Sequence, residues 1–278
     1  MKAKKIVSIH QPAYMPWLGW IHKLMVADTF VLLDTVQFEK NSFTNRNRIV
    51  QPDGTEVWLT VPILSKGKSD QLIMEVEINW LVPWIKKHMK AIYLSYHNCP
   101  YYADHIMKLF QYLENTKPTD FSSICNLFLY FLLPRIKKSE GRTTIKLASE
   151  YYPPLMLSKS DLVLEICLRE KADIYFSGVF GKGYLNERKF MDADIEIVYQ
   201  DYQHPSYEQH QLKNKERFYP RLAVLDLLFN YGPESLDVLM EGNVTKNDIR
   251  KEVADKSRTK RIEVGIRRTI EFVEGLNG

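Results

Sequence analysis

The chain has 278 residues, 45% of them apolar and 12% aromatic, with 38 Lys and Arg against 34 Asp and Glu. That length and apolar content build one large domain or two modest ones. The mixed and nearly balanced charge argues against a nucleic-acid binder that works by neutralising phosphates, but it leaves room for a local pocket for an anion. Cys99, Cys125 and Cys167 are scattered and odd in number, so they fit neither a disulfide framework nor a zinc site. They point to a reducing, cytoplasmic compartment.

The basic start Met1–Lys5 leads into a short apolar run that ends in His-Gln-Pro, the form of a first β-strand and not of a signal peptide. Ile6–Ile9 reads as this strand and Leu18–Val26 as a helix. Asp28–Asp34, with its continuous Phe-Val-Leu-Leu run, reads as a strand covered on both faces. Strand, helix and strand in this span have the form of a βαβ unit. Arg48–Gln51 and Glu56–Ile63, joined by Pro-Asp-Gly-Thr, predict a hairpin. Gln71–Ile78 alternates and predicts a further strand.

From Trp80 to Lys138 helical patterns dominate, divided by Pro100 and Pro118. Strand patterns return at Thr143–Ala148, Asp173–Ser177 and Ile195–Tyr199, with a helix at Ser160–Lys171. Leu222–Asn230 predicts an apolar helix stopped by Gly232-Pro233, and the residues after Thr245 a charged peripheral helix. The expected fold is α/β: a mostly parallel, Rossmann-like sheet with a β-hairpin excursion and a helical insert or cap. Residues 1–79 and 141–245 would form the α/β domain, 80–140 the insert or cap, and 246–278 the peripheral helix.

Polar groups gather where these strands end, the place where open α/β sheets bind ligands. His10 and Gln11 follow the first strand and precede a helix, with Pro12 and Pro16 stiffening the loop and Tyr14 and Trp17 available as pocket walls. The alternative is a loop histidine that caps backbone groups. Asp34 ends the second strand, followed by Gln37. Its carboxylate suits a ribose hydroxyl, an amine proton or a metal, and equally a cap for the next turn. Of the run Asn45–Arg48, alternation lets only two side chains share a face. Asn45 and Arg46 are the choice for ligand work, Arg46 offering a planar fork for phosphate or carboxylate.

Ser177–Tyr184 is glycine-rich and carries Lys182 and Tyr184, a phosphate cradle or a plain connection. It matches neither a Walker loop nor Gly-x-Gly-x-x-Gly. Asp201, His204, Tyr207 and Gln209 follow the last strand, and a turn around Pro205 is their structural alternative. His22 sits inside its helix, and the seven histidines show no metal-ligand spacing. No cofactor follows from these residues.

The opening Ile9-His-Gln-Pro-Ala-Tyr-Met-Pro-Trp-Leu-Gly-Trp20 resembles the signature of the WbqC-like family. The resemblance continues through Asp34–Phe38, Asn45–Ile49, Trp58–Pro62, Gly183–Leu185, Phe218–Pro220 and Leu225–Asn230, covering nearly the whole chain. It implies a place in bacterial surface-polysaccharide (O-antigen) assembly, with glycine or another acyl group attached to an amino sugar. It assigns no catalytic residue. The strand–His–helix opening is more distantly similar to nucleotidyltransferases and pantothenate-synthetase-like ligases, but their His-x-Gly-His is absent.

The leading expectation is therefore an acyl- or aminoacyltransferase acting on a nucleotide-linked amino sugar. His10 or Asp34 would be the base, Asn45 and Arg46 the oxyanion or phosphate donors, and Tyr14 and Trp17 the stacking surfaces. The alternatives are an ATP-dependent carboxylate-activating ligase and a non-enzymatic scaffold of a glycan-assembly complex. The expected partner is a small nucleotide sugar, with no nucleic acid and no integral membrane segment. Self-association into a homo-oligomer is left open.

Overall fold

A computed structural model describes residues 3–68, 70–102, 105–136, 143–152 and 156–256. β1 (Ile6–His10) passes through a loop into α1 (Leu18–Val26) and back into β2 (Thr29–Leu32). An antiparallel hairpin follows, β3 (Arg46–Val50) and β4 (Glu56–Thr60). Three helices come next: α2 (Trp84–Tyr96), α3 (His105–Thr116) and α4 (Phe121–Ile136). The α/β pattern then resumes with β5 (Thr144–Leu147), the short α5 (Ala148–Tyr151), α6 (Lys159–Arg169) and β6 (Ile174–Ser177). A 3-10 turn at Val179–Gly183, α7 (Glu187–Asp192) and β7 (Glu196–Tyr199) complete the sheet, before α8 (Leu225–Tyr231) and α9 (Ser235–Met240).

The five sheet strands lie in the order β5-β2-β1-β6-β7, every neighbouring pair parallel. Counted along the chain this is 3-2-1-4-5, the doubly wound Rossmann order without its sixth strand, so the expected α/β class is the observed one. Alternation along β1 assigns its two faces. Val7 and Ile9 pack with Leu162, Val163 and Ile166 of α6 and Phe190 of α7. Ile6 faces the other way, toward Val26 of α1 and toward Ile249 and Val253 on a helical stretch at 246–256. The remainder of the expected C-terminal helix, 257–278, lies outside the described residues.

The helical section does not stand apart. One apolar cluster joins Leu18, Ile21 and Leu24 of α1 to Trp84, Ile92, Phe110 and Phe128 of α2, α3 and α4 and to Leu225 and Leu228 of α8.

The strand expected at Gln71–Ile78 is not formed. Ile73–Glu75 is a 3-10 turn, in which the Glu75 carboxylate accepts from the Leu72 amide at 2.8 Å. Buried Ile73 and Val76 stand three residues apart and Met74 is exposed, so the apolar period there is that of a 3-10 turn and not of a strand. Gly232 stops α8 as its sequence predicts: its φ is +49°, and a Cβ there would collide with the Tyr101 ring.

Candidate functional site

The strand order reverses between β1 and β6, each of which pairs outward toward a different edge of the sheet. At such a switch point the loops leaving the two carboxyl ends part and open a crevice. His10 is the last residue of β1, and Ser177 the last of β6.

His10 is partly buried, its ring edge-on to Trp20 at 5.9 Å between centroids. Nδ1 lies 3.1 Å from the Gln11 carbonyl oxygen. A carbonyl only accepts, so the neutral ring carries its proton on Nδ1 and presents a lone pair at Nε2. Burial, reinforced by the positive charge of Lys23, draws this imidazole down to about 3. The ring is therefore neutral at physiological pH.

Lys23 lies on α1, its ammonium against the ends of the same two strands. It is 4% exposed, and its ammonium donates to the Ile9 carbonyl at 3.0 Å. A Cβ on Gly178 would be 3.8 Å from Nζ, so the residue after β6 also lies against it. No carboxylate pairs with it among the described residues. Burial draws its amine down to about 7.

The loop between His10 and α1 is held under strain. Met15 has φ +47°, unusual for a residue with a side chain, and the Asn47 amide clamps it by donating to the Met15 carbonyl at 2.6 Å. The Tyr14 amide donates to the Thr44 carbonyl, and the Thr44 hydroxyl reaches the Gln11 side chain at 3.3 Å. The hairpin is thus tied to the end of β1. On its outer face Arg46 stacks over Trp58 at 4.4 Å, with the Phe43 ring 5.7 Å from that of Trp58.

Tyr14 is fully buried, its hydroxyl 2.8 Å from His88 Nδ1 and its ring against Phe128, so it packs in the core. Trp17 packs on Tyr202. Asp34 is buried and accepts from the Ser149 amide and hydroxyl at the start of α5, a contact far along the chain and not a cap of the turn that follows it. Gln37 is exposed and reaches Asp70 at 3.4 Å. Asn45 donates to the Val61 carbonyl, and its Oδ1 is buried without a partner among the described residues. Asn45 and Asn47 face inward while Arg46 and Arg48 share the other face, so alternation separates Asn45 from Arg46.

Lys182 and Tyr184 are exposed on the turn after β6, Lys182 over the Tyr199 ring at 5.3 Å. Asp201 accepts from Gln203. His22 is satisfied inside the core by the Val244 carbonyl and Gln200, and His204 Nε2 accepts from the Arg221 amide. Tyr207 and Gln209 meet away from the switch point, on Asp226. That carboxylate is fully buried and accepts from Tyr207, Gln209, Tyr96 and Gln211 at 2.6 to 3.0 Å, tying α2 and the chain after β7 to α8.

A sequence profile described as the WbqC-like protein family matches residues 11–238. The chain belongs to this family. An uncharacterized protein of Mycobacterium tuberculosis is 31% identical over 236 residues, covering 84% of this chain and 97% of its own length. No solved structure matches. The stretch shared with the family takes in the strained loop, Lys23, the hairpin, the helical section and α8, and opens one residue past His10.

Two groups of this family member receive no role from the sequence, Lys23 and Asp226, although Asp226 stands inside one of the shared motifs. Each left a signal. The helix Leu-Gly-Trp-Ile-His-Lys-Leu-Met-Val is apolar on every side, so all nine of its residues are buried and its two polar ones must go inside with the rest. Asp226 stands within Leu-Asp-Leu-Leu-Phe, apolar on both flanks, for the same reason. No helix among the described residues is long and apolar enough to cross a membrane.

Proposed function

We propose that the protein transfers an acyl or aminoacyl group, such as glycyl, to the amine of a nucleotide-linked amino sugar, in the cytosol and in the assembly of a bacterial surface polysaccharide. The observation that carries this reading is the His10 imidazole at the switch point, with Nε2 free of any partner among the described residues. The family resemblance supplies the polysaccharide context.

In this transfer a nitrogen–carbon bond forms between the sugar amine and the carbonyl of an activated acyl donor. The donor's leaving group departs with the bonding electrons, and the nitrogen gives up a proton. His10 Nε2 is the acceptor. The resting ring is a weak base because it is buried beside Lys23. A ligand anion placed near it offsets that charge and raises its affinity for a proton.

Recognition falls to the groups around the crevice. Phe180, 89% exposed on the turn after β6, offers a ring for a sugar or base to stack on, with Lys182 and Tyr184 beside it in sequence. The Arg46–Trp58 stack and Gln11 stand on the hairpin side. Asp34, Tyr14, Tyr207 and Gln209 are engaged by protein partners and hold the surrounding structure.

The test incubates the purified chain with a panel of nucleotide-linked amino sugars and activated acyl donors and reads the product mass. The expected outcome is one acylated sugar nucleotide, formed at least about a hundredfold more slowly by His10→Ala with unchanged circular dichroism. Amino-acid-dependent exchange of labelled pyrophosphate into ATP would assign carboxylate activation to the chain instead. No product across the panel, or undiminished turnover by His10→Ala, defeats the reading.

A further inference from the structure

We infer that Lys23 is the floor of an oxyanion seat at the switch point, a buried cation whose counter-ion is a phosphate or carboxylate group of the ligand. The inference deepens the transferase reading by naming what the crevice beneath His10 holds, and it rests on that reading only for the identity of the molecule that carries the anion.

A lysine at 4% exposure is costly unless something balances its charge. Every other route to balance is absent among the described residues. Lys5, just before β1, and Lys146 of β5 pair with Glu170, and Lys246 with Asp28. Lys23 has the Ile9 carbonyl and no carboxylate. An ammonium carries three hydrogens, so two remain for a ligand.

Position argues the same way. Nζ lies against the carboxyl end of β1, through Ile9, and close to Gly178 at the carboxyl end of β6, the two strands that flank the strand-order reversal. The titratable groups around it are few. His10 faces it from β1, and His22, its neighbour on α1, has both ring nitrogens occupied by Val244 and Gln200. Ser177 and Gly178 on the β6 side carry no charge. An arriving oxyanion is therefore the first negative charge Lys23 meets, and binding draws a proton onto it whenever the amine is neutral.

Two sources of the anion are separated by the probe. Inorganic pyrophosphate stands for the diphosphate of a sugar nucleotide, and glycine for the carboxylate of an amino-acid donor. Calorimetric titration of the wild-type chain is expected to show binding of pyrophosphate, weakened at least tenfold by Lys23→Met, which keeps the apolar stem and removes the charge. Binding of glycine alone, equally lost in Lys23→Met, keeps the seat and assigns it to the donor. Failure of both probes to bind, or equal affinity in wild type and Lys23→Met, overturns the seat.

The two readings fail separately: an oxyanion held through Lys23 without sugar acylation leaves the seat and removes the transferase. Acylation undiminished in Lys23→Met does the reverse.

Discussion

At the scale of single residues, Lys23 ties stability to pH in a direction opposite to that of a surface lysine. Its amine titrates near 7 in the fold against an ordinary value of 10.5. Between those values the unfolded chain holds a proton that the folded chain does not, so this group's contribution to stability rises with pH. The penalty is fully present below pH 7 and is relieved progressively above it. Lys23→Met removes the group from both states. The variant should therefore gain on the wild type at pH 6.5, and the gap should narrow by roughly 3 kcal/mol by pH 9.5, at about 1.4 kcal/mol for each unit. Urea midpoints at the two pH values measure it, and a gap that does not change with pH would show the lysine charged and paired. His10 was legible because it stands outside any apolar run, at a strand end. Lys23 was not, because a motif search reads polar residues where they are dense and passes over one whose neighbours are all apolar.

At the scale of elements, the β1–α1 loop is shaped by the hairpin that follows it. Asn47 donates to the Met15 carbonyl and accepts from the Arg48 amide, both at short range. The left-handed backbone at Met15 costs about 1–2 kcal/mol and is held by these contacts. Asn47→Ala should cost about 2 kcal/mol of stability and release the loop that follows His10. Hydrogen exchange reads this directly: the amides of Tyr14 and Trp20 should lose protection while those of β6 keep theirs. Unaltered exchange at both would show that the loop holds its shape alone. The hairpin was legible in the sequence from its Pro-Asp-Gly-Thr turn, but its service to the loop was not. The polar run Asn45–Arg48 reads as ligand-binding because four hydrogen-bonding side chains stand together. The structure divides them by face, the two asparagines onto backbone carbonyls and the two arginines onto Trp58 and Glu56. Density of polar groups signals either a ligand or a clamp, and only the direction of each side chain decides.

At the scale of the whole molecule, the question is whether the helices between β4 and β5 form a separable cap or part of one core. Composition marks them off clearly, since aromatic helices replace strands from Trp80 onward. Packing joins them: Phe128 of α4 is fully buried against Tyr14 of the β1–α1 loop and Phe110 of α3. Sequence gives the period of each element but not which apolar faces meet, and here the faces of α1, α4 and α8 meet in a single cluster. A ring at that junction should therefore act on the whole molecule. Phe128→Ala should cost about 3–5 kcal/mol, the range for truncating a buried phenylalanine. Denaturation followed by far-ultraviolet dichroism and by tryptophan fluorescence should shift by the same amount, because Trp84 lies on one side of the junction and Trp20 on the other, inside one cooperative unit. Two transitions, with the sheet's unmoved by the substitution, would show a cap that unfolds alone. In that case the loop bearing Tyr14 would keep its place by the hairpin clamp only.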